Sequence, residues 1–118
     1  MMNVLFCGWT QPARGREQQA VRVFGEWVEM LGGAKTKGAI KDFTPVFLNP
    51  HGGDLGGFFL ITGEPTKLDA FTTSEDFQKA MTRAQIAVDG MGLVRGLTGD
   101  EIAKQMARYT TNVADLAK

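Results

Sequence analysis

Apolar and polar positions alternate with two different periods along the chain. Val4–Trp9 is a short apolar run of strand-forming residues that ends at the turn-forming residues 11–15, so it predicts a first strand. From Arg16 onward, apolar side chains recur every three or four residues, which predicts an amphipathic helix. Because glycine often ends a helix, we expect the pair Gly32 and Gly33 to end this one.

The middle of the chain predicts a β-hairpin. Residues 43–48 and 58–62 are rich in strand formers, and the loop between them consists largely of glycine and other turn-forming residues. Pro45 has no backbone N–H to donate to a neighbouring strand. The first strand of the hairpin is therefore expected at an edge of the sheet.

A second amphipathic helix is predicted after the hairpin. Residues 66–71 form a short connecting segment, and the apolar positions of residues 77–88 then follow a helical period. Thr73 or Ser74 is the predicted N-cap, because a hydroxyl oxygen can accept from the free N–H groups of the first turn. We expect Gly90 to end this helix.

The last part of the chain predicts a fourth strand at residues 91–97 and a third helix whose apolar positions span residues 102–116, with Thr98 as its N-cap. The complete order is strand, helix, strand, strand, helix, strand, followed by a C-terminal helix. This order predicts a single ferredoxin-like domain of the α+β class over residues 1–118. Right-handed crossovers would place both internal helices on one face of a four-stranded antiparallel sheet.

Both faces of the predicted sheet are apolar. In the first strand, Val4 and Phe6 alternate with Leu5 and Cys7, so apolar side chains point to both sides. An uncovered face would expose roughly several hundred Å² of apolar surface, more than a soluble monomer normally tolerates. We therefore expect a homodimer in which two copies pack sheet against sheet. The alternative is that the C-terminal helix covers this face within one subunit.

Four short segments carry a resemblance to a known group of proteins: residues 27–33 (WVEMLGG), 56–61 (GGFFLI), 74–77 (SEDF) and 94–97 (VRGL). With these segments, residues 5–102 resemble the dimeric α/β barrel superfamily and are similar to its small YCII-related or DGPF-type members. The resemblance implies an eight-stranded barrel formed by two subunits, with a pocket between sheet and helices in each. One departure concerns histidine, which YCII-related proteins often carry soon after the first strand, whereas residues 10–16 contain none.

Charge and cysteine content narrow the possible partners. Lysine plus arginine and aspartate plus glutamate each total 13 of 118 residues, so no net field attracts nucleic acid or an anionic membrane, and neither is expected as a partner. No apolar run approaches the roughly 20 residues that span a bilayer, and we recognise no signal sequence. The single cysteine, Cys7, excludes an intrachain disulfide and favours a cytoplasmic location.

Candidate catalytic residues are few. His51 and Asp54 share the hairpin loop and could form an acid/base pair or half of a metal site; the alternative is a solvated loop histidine. Cys7 and His51 are expected to lie too far apart for a thiolate pair, because the predicted strand order puts the third strand between them. With one histidine in the chain, no histidine-rich metal centre is expected, and the prediction includes no cofactor.

Trp9, Trp27, Phe59 and Arg95 are the candidate ligand-binding residues. The three aromatic side chains could form the apolar wall of a pocket, although aromatics at these spacings are also typical of a core. Alternation places Arg95 on the same face as Leu93, where it could bind a carboxylate or enolate oxygen of a ligand. The alternative is an arginine that protects a sheet edge from aggregation.

Three functions remain open at this point. The first is a protein that binds a small apolar or aromatic acid ligand in a pocket beside the sheet. The second, which the resemblance implies, is a cofactor-independent monooxygenase or an isomerase-like enzyme, because the superfamily includes haem-degrading and quinone-forming monooxygenases and isomerase-like enzymes. The third is a noncatalytic homodimeric assembly module. Fold does not choose between them, because one fold carries many functions.

Overall fold

The computed structural model describes residues 1–118. The elements are β1 (Val4–Trp9), β2 (Gln11–Pro12), α1 (Glu17–Lys37), β3 (Asp42–Phe47), β4 (Gly57–Thr62), α2 (Pro65–Thr72), α3 (Glu75–Ala87), β5 (Val88–Asp89), β6 (Gly92–Gly96) and α4 (Asp100–Leu116). Four strands form one antiparallel sheet in the order β3-β4-β1-β6, while β2 and β5 form a separate two-stranded ladder. This order confirms the predicted ferredoxin-like fold of the α+β class.

The helices α1 and α3 cover one face of the sheet, which we call the covered face. Leu5, Cys7 and Ile61 on this face are fully buried and belong to one core cluster with Trp27 of α1 and Phe77 of α3. The two helices are also joined by a bidentate ion pair, in which the Nε and Nη2 atoms of Arg83 donate to the two carboxylate oxygens of Glu26 at 2.8 and 2.9 Å. The core thus lies between one sheet face and two helices.

The edge position predicted from proline is confirmed. Strand β3 pairs with β4 alone, and Pro45 lies in it opposite Phe59. Because no second strand lies beside β3, the missing N–H of Pro45 costs no ladder hydrogen bond on that side of the strand.

The predicted end of α1 at Gly32 and Gly33 is wrong. The helix continues to Lys37 and ends at Gly38, which has a left-handed φ of 80°. The N–H of Ala39 then donates to the carbonyl of Ala34 at 2.9 Å, a bond typical of a glycine-terminated helix. Ala34 is buried against the core, so packing of the last turns outweighs the low helix propensity of the two glycines.

Two further boundaries differ from the predictions. Helix α3 ends at Ala87 rather than at Gly90, because Val88 and Asp89 leave the helix to pair with β2. Ser74 is its N-cap, as one of the two predicted alternatives, and its hydroxyl accepts from the N–H of Phe77. The segment before it, residues 66–71, lies within α2.

The N-cap of the last helix is Gly99, so the prediction of Thr98 is wrong. The side chain of Asn3 explains the difference: its Nδ2 donates to the Thr98 carbonyl at 2.9 Å, and its Oδ1 accepts from the Thr98 N–H at 2.8 Å. Thr98 is therefore held against the start of the chain rather than at the head of the helix. Strand β6 accordingly ends at Gly96, one residue before its predicted end.

The second face of the sheet, which we call the open face, has no helix over it. Its apolar side chains are Val4, Phe6, Val46, Phe58, Leu60 and Val94, which the strand register brings together. Leu60 is 39% exposed and Val94 is 57% exposed, whereas the rings of Phe6 and Phe58 stack at 4.8 Å and shield each other in part. No residue of α4 is buried, so the suggestion that this helix covers the open face within one subunit is wrong. No helix of the protein combines the length and apolar character needed to cross a membrane.

Candidate functional site: an aromatic cavity on the covered face

A cavity of about 510 Å³ opens between the covered face and α1. Its lining residues are Trp9, Thr10, Gln11, Pro12, Ala20, Val21, Val23, Phe24, Trp27, Phe47, Leu48, Gly56, Phe59, Ala84, Val88 and Met91. None of these side chains is charged, and only those of Thr10 and Gln11 are polar. The volume lies within the range of about 300–1,000 Å³ that is typical of small-molecule sites.

The walls of the cavity are aromatic rings arranged around Phe59. The Trp27 ring stacks on the Phe59 ring with 5.5 Å between centroids and 18° between planes, and the Phe24 ring does so at 5.2 Å and 22°. Trp9 lies beside Phe59 at 5.7 Å in a tilted arrangement. These distances fall in the favourable range for aromatic pairs, so the walls keep a defined shape without a ligand.

The floor of the cavity is fixed by Trp27. Its ring is buried, and its Nε1–H donates to the Ala80 carbonyl on α3 at 3.1 Å, so the one polar atom of the side chain has a partner. Small residues leave the space above it empty, since Ala20 on α1 and Ala84 on α3 both line the cavity. The floor is therefore rigid and apolar.

Glycine permits Trp9 to reach its position. A Cβ atom placed on Gly57, which pairs with Trp9 across the sheet, would lie 2.7 Å from the Cζ2 atom of the indole. It would also lie 2.7 Å from the carbonyl oxygen of Val46, which is backbone and cannot yield easily. Any larger residue at position 57 would push the indole away from Phe59 and change the shape of the cavity.

The mouth of the cavity is apolar and open to solvent. Val21 on α1 is 75% exposed and Phe47 at the end of β3 is 69% exposed, and both line the cavity. The Phe47 ring contacts Trp9 edge-on at 6.2 Å and Phe24 at 4.9 Å, so the rim continues the aromatic wall. Exposed rings at the edge of an apolar recess are typical of a site that accepts a hydrophobic partner.

Three of the four candidate ligand-binding residues meet in this cavity. Trp9, Trp27 and Phe59 all line it, whereas Arg95 does not. Arg95 pairs with Leu5, four residues before Trp9 on β1, which is a separation of about 13 Å along the strand. It is exposed on the edge strand β6. Alternation along the strand predicted the face on which Arg95 lies but not its position along the strand relative to the cavity.

Sequence reasoning missed Phe24 and Phe47 as wall residues. Phe24 belongs to the apolar stripe of α1, and Phe47 ends a strand, so neither stands out from a core position by sequence alone. The only usable signal was register, because Phe47 is opposite Gly57, which in turn is opposite Trp9.

His51 and Asp54 lie in a second, polar depression of about 410 Å³ that is formed by the hairpin loop. The Nδ1 atom of His51 accepts from the Gly53 N–H at 3.2 Å, and its Nε2 lies 2.8 Å from the Leu55 carbonyl. Since a carbonyl can only accept, Nε2 carries the proton. Both ring nitrogens therefore brace the loop, and Asp54 makes no hydrogen bond with the imidazole.

The two depressions share a boundary. Thr10, Gln11, Leu48 and Gly56 line both of them, so the histidine loop borders the mouth of the aromatic cavity. The Gly56 N–H donates to the Trp9 carbonyl at 2.8 Å and the Leu48 N–H donates to the Gly56 carbonyl at 2.9 Å, which ties the loop to the rim. A ligand in the cavity would thus touch the base of this loop.

Cys7 lies in the core and not in the cavity. Burial raises the pKa of its thiol to about 12, because a thiolate would lose its hydration there. Strand β4 separates β1, which carries Cys7, from β3, which leads into the His51 loop. The residues present also include no group of three or more His, Cys, Asp or Glu side chains that could hold a metal ion.

Comparison with known proteins supports the fold but no single family. No family model matches the chain, and no curated protein matches it. A dimeric ferredoxin-like protein of unknown function from Jannaschia sp. CCS1 superimposes with a TM-score of 0.65 at 12% identity, over 83% of this chain and 100% of that one. A dimeric ferredoxin-like protein of unknown function from Thermobifida fusca gives 0.61 at 11% identity, over 82% and 92%. A proposed antibiotic biosynthesis monooxygenase from Deinococcus radiodurans gives 0.60 at 9% identity, over 81% and 92%.

Proposed function

We propose that this protein binds a neutral, planar, apolar small molecule in the aromatic cavity and that it works as a homodimer. The observation that carries the proposal is the ring arrangement, in which Trp27 and Phe24 stack on Phe59 beside an empty volume of about 510 Å³. A flat ligand can extend such a stack and lose its contact with water. Full burial of an apolar group the size of a Leu or Phe side chain contributes about 1.5–3 kcal/mol.

The charge of the cavity favours a neutral ligand over the aromatic acid that the sequence suggested. A carboxylate placed among the lining residues would find the Thr10 and Gln11 side chains but no cation, because Arg95 lies elsewhere on the sheet. Burying an unpaired charge costs several kcal/mol or more, roughly what the apolar contacts supply. A ligand with one hydroxyl or carbonyl group near Thr10 fits the polarity better.

The open face supports the homodimer. It carries six apolar side chains that no element of the same chain covers, and two structural neighbours are described as dimeric. Two copies related by a two-fold axis would bury both open faces at once and form one closed barrel. Membership of the YCII-related or DGPF-type group, and a cytoplasmic location, remain predictions from the sequence.

An enzyme of the monooxygenase or isomerase type is the second candidate. It is favoured by the structural likeness to a proposed antibiotic biosynthesis monooxygenase. The cavity offers no titratable side chain for proton transfer, and the nearest such group, His51, has both ring nitrogens bonded to the loop backbone. Binding without turnover therefore accounts for more of the observed geometry.

A thermal-shift screen tests the proposal with matched probes. Two- and three-ring aromatic alcohols should raise the midpoint of unfolding, because a ligand that binds only the folded state stabilises it. The corresponding carboxylates should give little or no shift. Preference for the carboxylates would contradict the assignment of a neutral ligand.

Two variants connect a binding signal to the cavity. Val21→Trp adds bulk at the exposed rim without disturbing the core and should weaken binding at least tenfold. Ile86→Trp makes a similar change at an exposed position of α3 that does not line the cavity, so it should bind as the parent does. Equal binding by both variants would exclude the cavity as the site. Oxygen consumption with a bound compound, abolished by Val21→Trp, would favour the monooxygenase.

A further inference from the structure

The C-terminal helix α4 presents an apolar stripe that stays largely exposed in its own subunit. The stripe consists of Ile102, Met106, Tyr109, Val113 and Leu116, which are between 48% and 84% exposed. They recur with the spacing four, three, four, three, which keeps them on one side of a helix. A soluble helix with such a side is normally buried on another surface, but no residue of α4 is buried.

The start of α4 is held firmly, so the direction of the helix is specified. The Asn3 side chain bonds both backbone groups of Thr98, and the N-terminal ammonium group lies 3.0 Å from a carboxylate oxygen of Glu101. From this anchor the helix extends away from the core, and the molecule reaches 58 Å in its longest dimension against 38 and 21 Å in the others. A helix fixed at its root and bare along its length presents a preformed surface.

The residues that flank the stripe suit contact with an identical chain. On one side lie the small residues Ala103, Ala107, Thr110, Ala114 and Ala117, which allow close approach. Lys104, Thr111 and Lys118 lie on the opposite side of the helix from the stripe. No charge lies within the apolar side, so two copies can bring their stripes into one interface without opposing like charges.

The area of the open face alone is small for a stable dimer. We take a fully exposed large apolar side chain to present about 150–200 Å². The observed exposures then correspond to roughly 300 Å² of exposed apolar surface on the open face and roughly 500 Å² on the stripe. Stable interfaces bury about 800 Å² on each partner. The two surfaces together reach that area, and they are close along the chain, because Val94 of the open face lies six residues before α4.

We propose that α4 packs with its apolar stripe against a second copy of this chain, in the same dimer that the open faces form. This inference rests on the homodimer of the proposed function and adds that α4 supplies the larger part of the apolar contact.

Sedimentation equilibrium of paired variants tests the proposal. The double substitution Met106→Gln and Val113→Gln keeps good helix formers but removes two apolar side chains from the stripe, and it should weaken the dimer at least a hundredfold. The double substitution Lys104→Gln and Thr111→Gln changes the opposite side of the same helix and should leave the dimer within threefold of the parent. Equal dimer affinity in the two variants would overturn the proposal.

Thiol accessibility gives a second, local readout. Because Cys7 is buried, a cysteine introduced on α4 is the only reactive thiol of the native protein. In the dimer, Tyr109→Cys should be alkylated at least ten times more slowly than Thr111→Cys. Similar rates in a dimeric protein would show that α4 lies outside the interface while the sheet dimer stands. A parent protein that sediments as a monomer at micromolar concentration would contradict the dimer itself, and the α4 proposal with it.

Discussion

The two faces of the sheet are built by the same strands, yet they differ in how burial is completed. On the covered face, Leu5 and Ile61 are fully buried beneath α1 and α3, whereas on the open face their sequence neighbours Phe6 and Leu60 keep part of their surface in water. Both sets are apolar. A strand that is apolar at every position puts apolar side chains on both faces of the sheet. One face is buried within the chain, and the other requires a second surface to cover it.

The largest effect is expected from a charge on the open face. Leu60→Lys would place an ammonium group in the proposed interface of both subunits, where it has no partner. We expect the dimer to weaken by roughly a thousandfold, equivalent to about 4 kcal/mol, with sedimentation equilibrium as the measurement.

The matched control is Ile86→Lys, which puts the same charge at another exposed apolar position, on α3. It should leave self-association unchanged. A dimer that tolerates Leu60→Lys as well as Ile86→Lys would show that the open face is not the contact surface.

The next effect contrasts neighbouring residues on the two faces. In a monomeric Leu60→Lys background, Leu5→Ala should destabilise the fold by about 2–5 kcal/mol, because it leaves a cavity in a fully buried site. Phe6→Ala removes a larger side chain but should cost less than half as much, since in the monomer its main partner is the Phe58 ring. Urea unfolding measures both, and equal losses would remove the distinction between the two faces.

A smaller effect is expected within the covered face itself. Trp27→Phe removes the hydrogen bond from Nε1 to the Ala80 carbonyl and should lower stability by about 1–2 kcal/mol. Trp9→Phe, nearer the mouth, should cost less because Trp9 is only partly buried. Thermal unfolding compares the two variants. A larger loss of stability from Trp9→Phe would contradict the description of Trp27 as the rigid floor of the cavity and of Trp9 as part of its more open end.

The smallest effect concerns the ion pair between α1 and α3. Hydrogen bonding from Arg83 holds the pKa of Glu26 below its ordinary value, so the folded state favours the carboxylate. The contribution is fully present above the unfolded pKa of about 4.3 and is lost as pH falls through the lower folded value.

The variant Arg83→Gln should therefore be less stable than the parent at neutral pH, and the difference should shrink in acid. Urea unfolding of both proteins from about pH 7 down to about pH 3 measures this difference in stability. A difference that stays constant over that range would exclude the carboxylate of Glu26 as its source.

Local patterns predicted the four strands of the main sheet and their face assignments, but they missed the short strands β2, which lies in the predicted turn, and β5, which follows the second helix. The range Val4–Trp9 forms with its predicted bounds, because a compact apolar run ends at strong turn formers. The end of α1 was missed because Gly32 and Gly33 lower the stability of the helix only slightly, and the burial of Ala34 outweighs that loss. Thr98 was misplaced because the competing partner, Asn3, lies 95 positions away in sequence.

The candidate site could be predicted only in part. Trp9, Trp27 and Phe59 were predicted to form the apolar wall of a pocket, and they do line one cavity. Arg95 lies on the same sheet face as Trp9 and Phe59 but about four residues away from Trp9 along the strand, since alternation specifies a side of the sheet and not a position along it. The empty volume itself depends on the small residues Ala20 and Ala84 from two different helices, a relation that no local pattern contains.

Intrinsic fluorescence gives the most direct test that the aromatic cavity is a ligand site. Both tryptophans of the chain, Trp9 and Trp27, line the cavity, so no other indole contributes to the emission. Titration with a neutral aromatic alcohol that stabilises the protein should change this emission saturably, with one site per chain. A stabilising compound that leaves the tryptophan emission unchanged would place the ligand elsewhere and contradict the account.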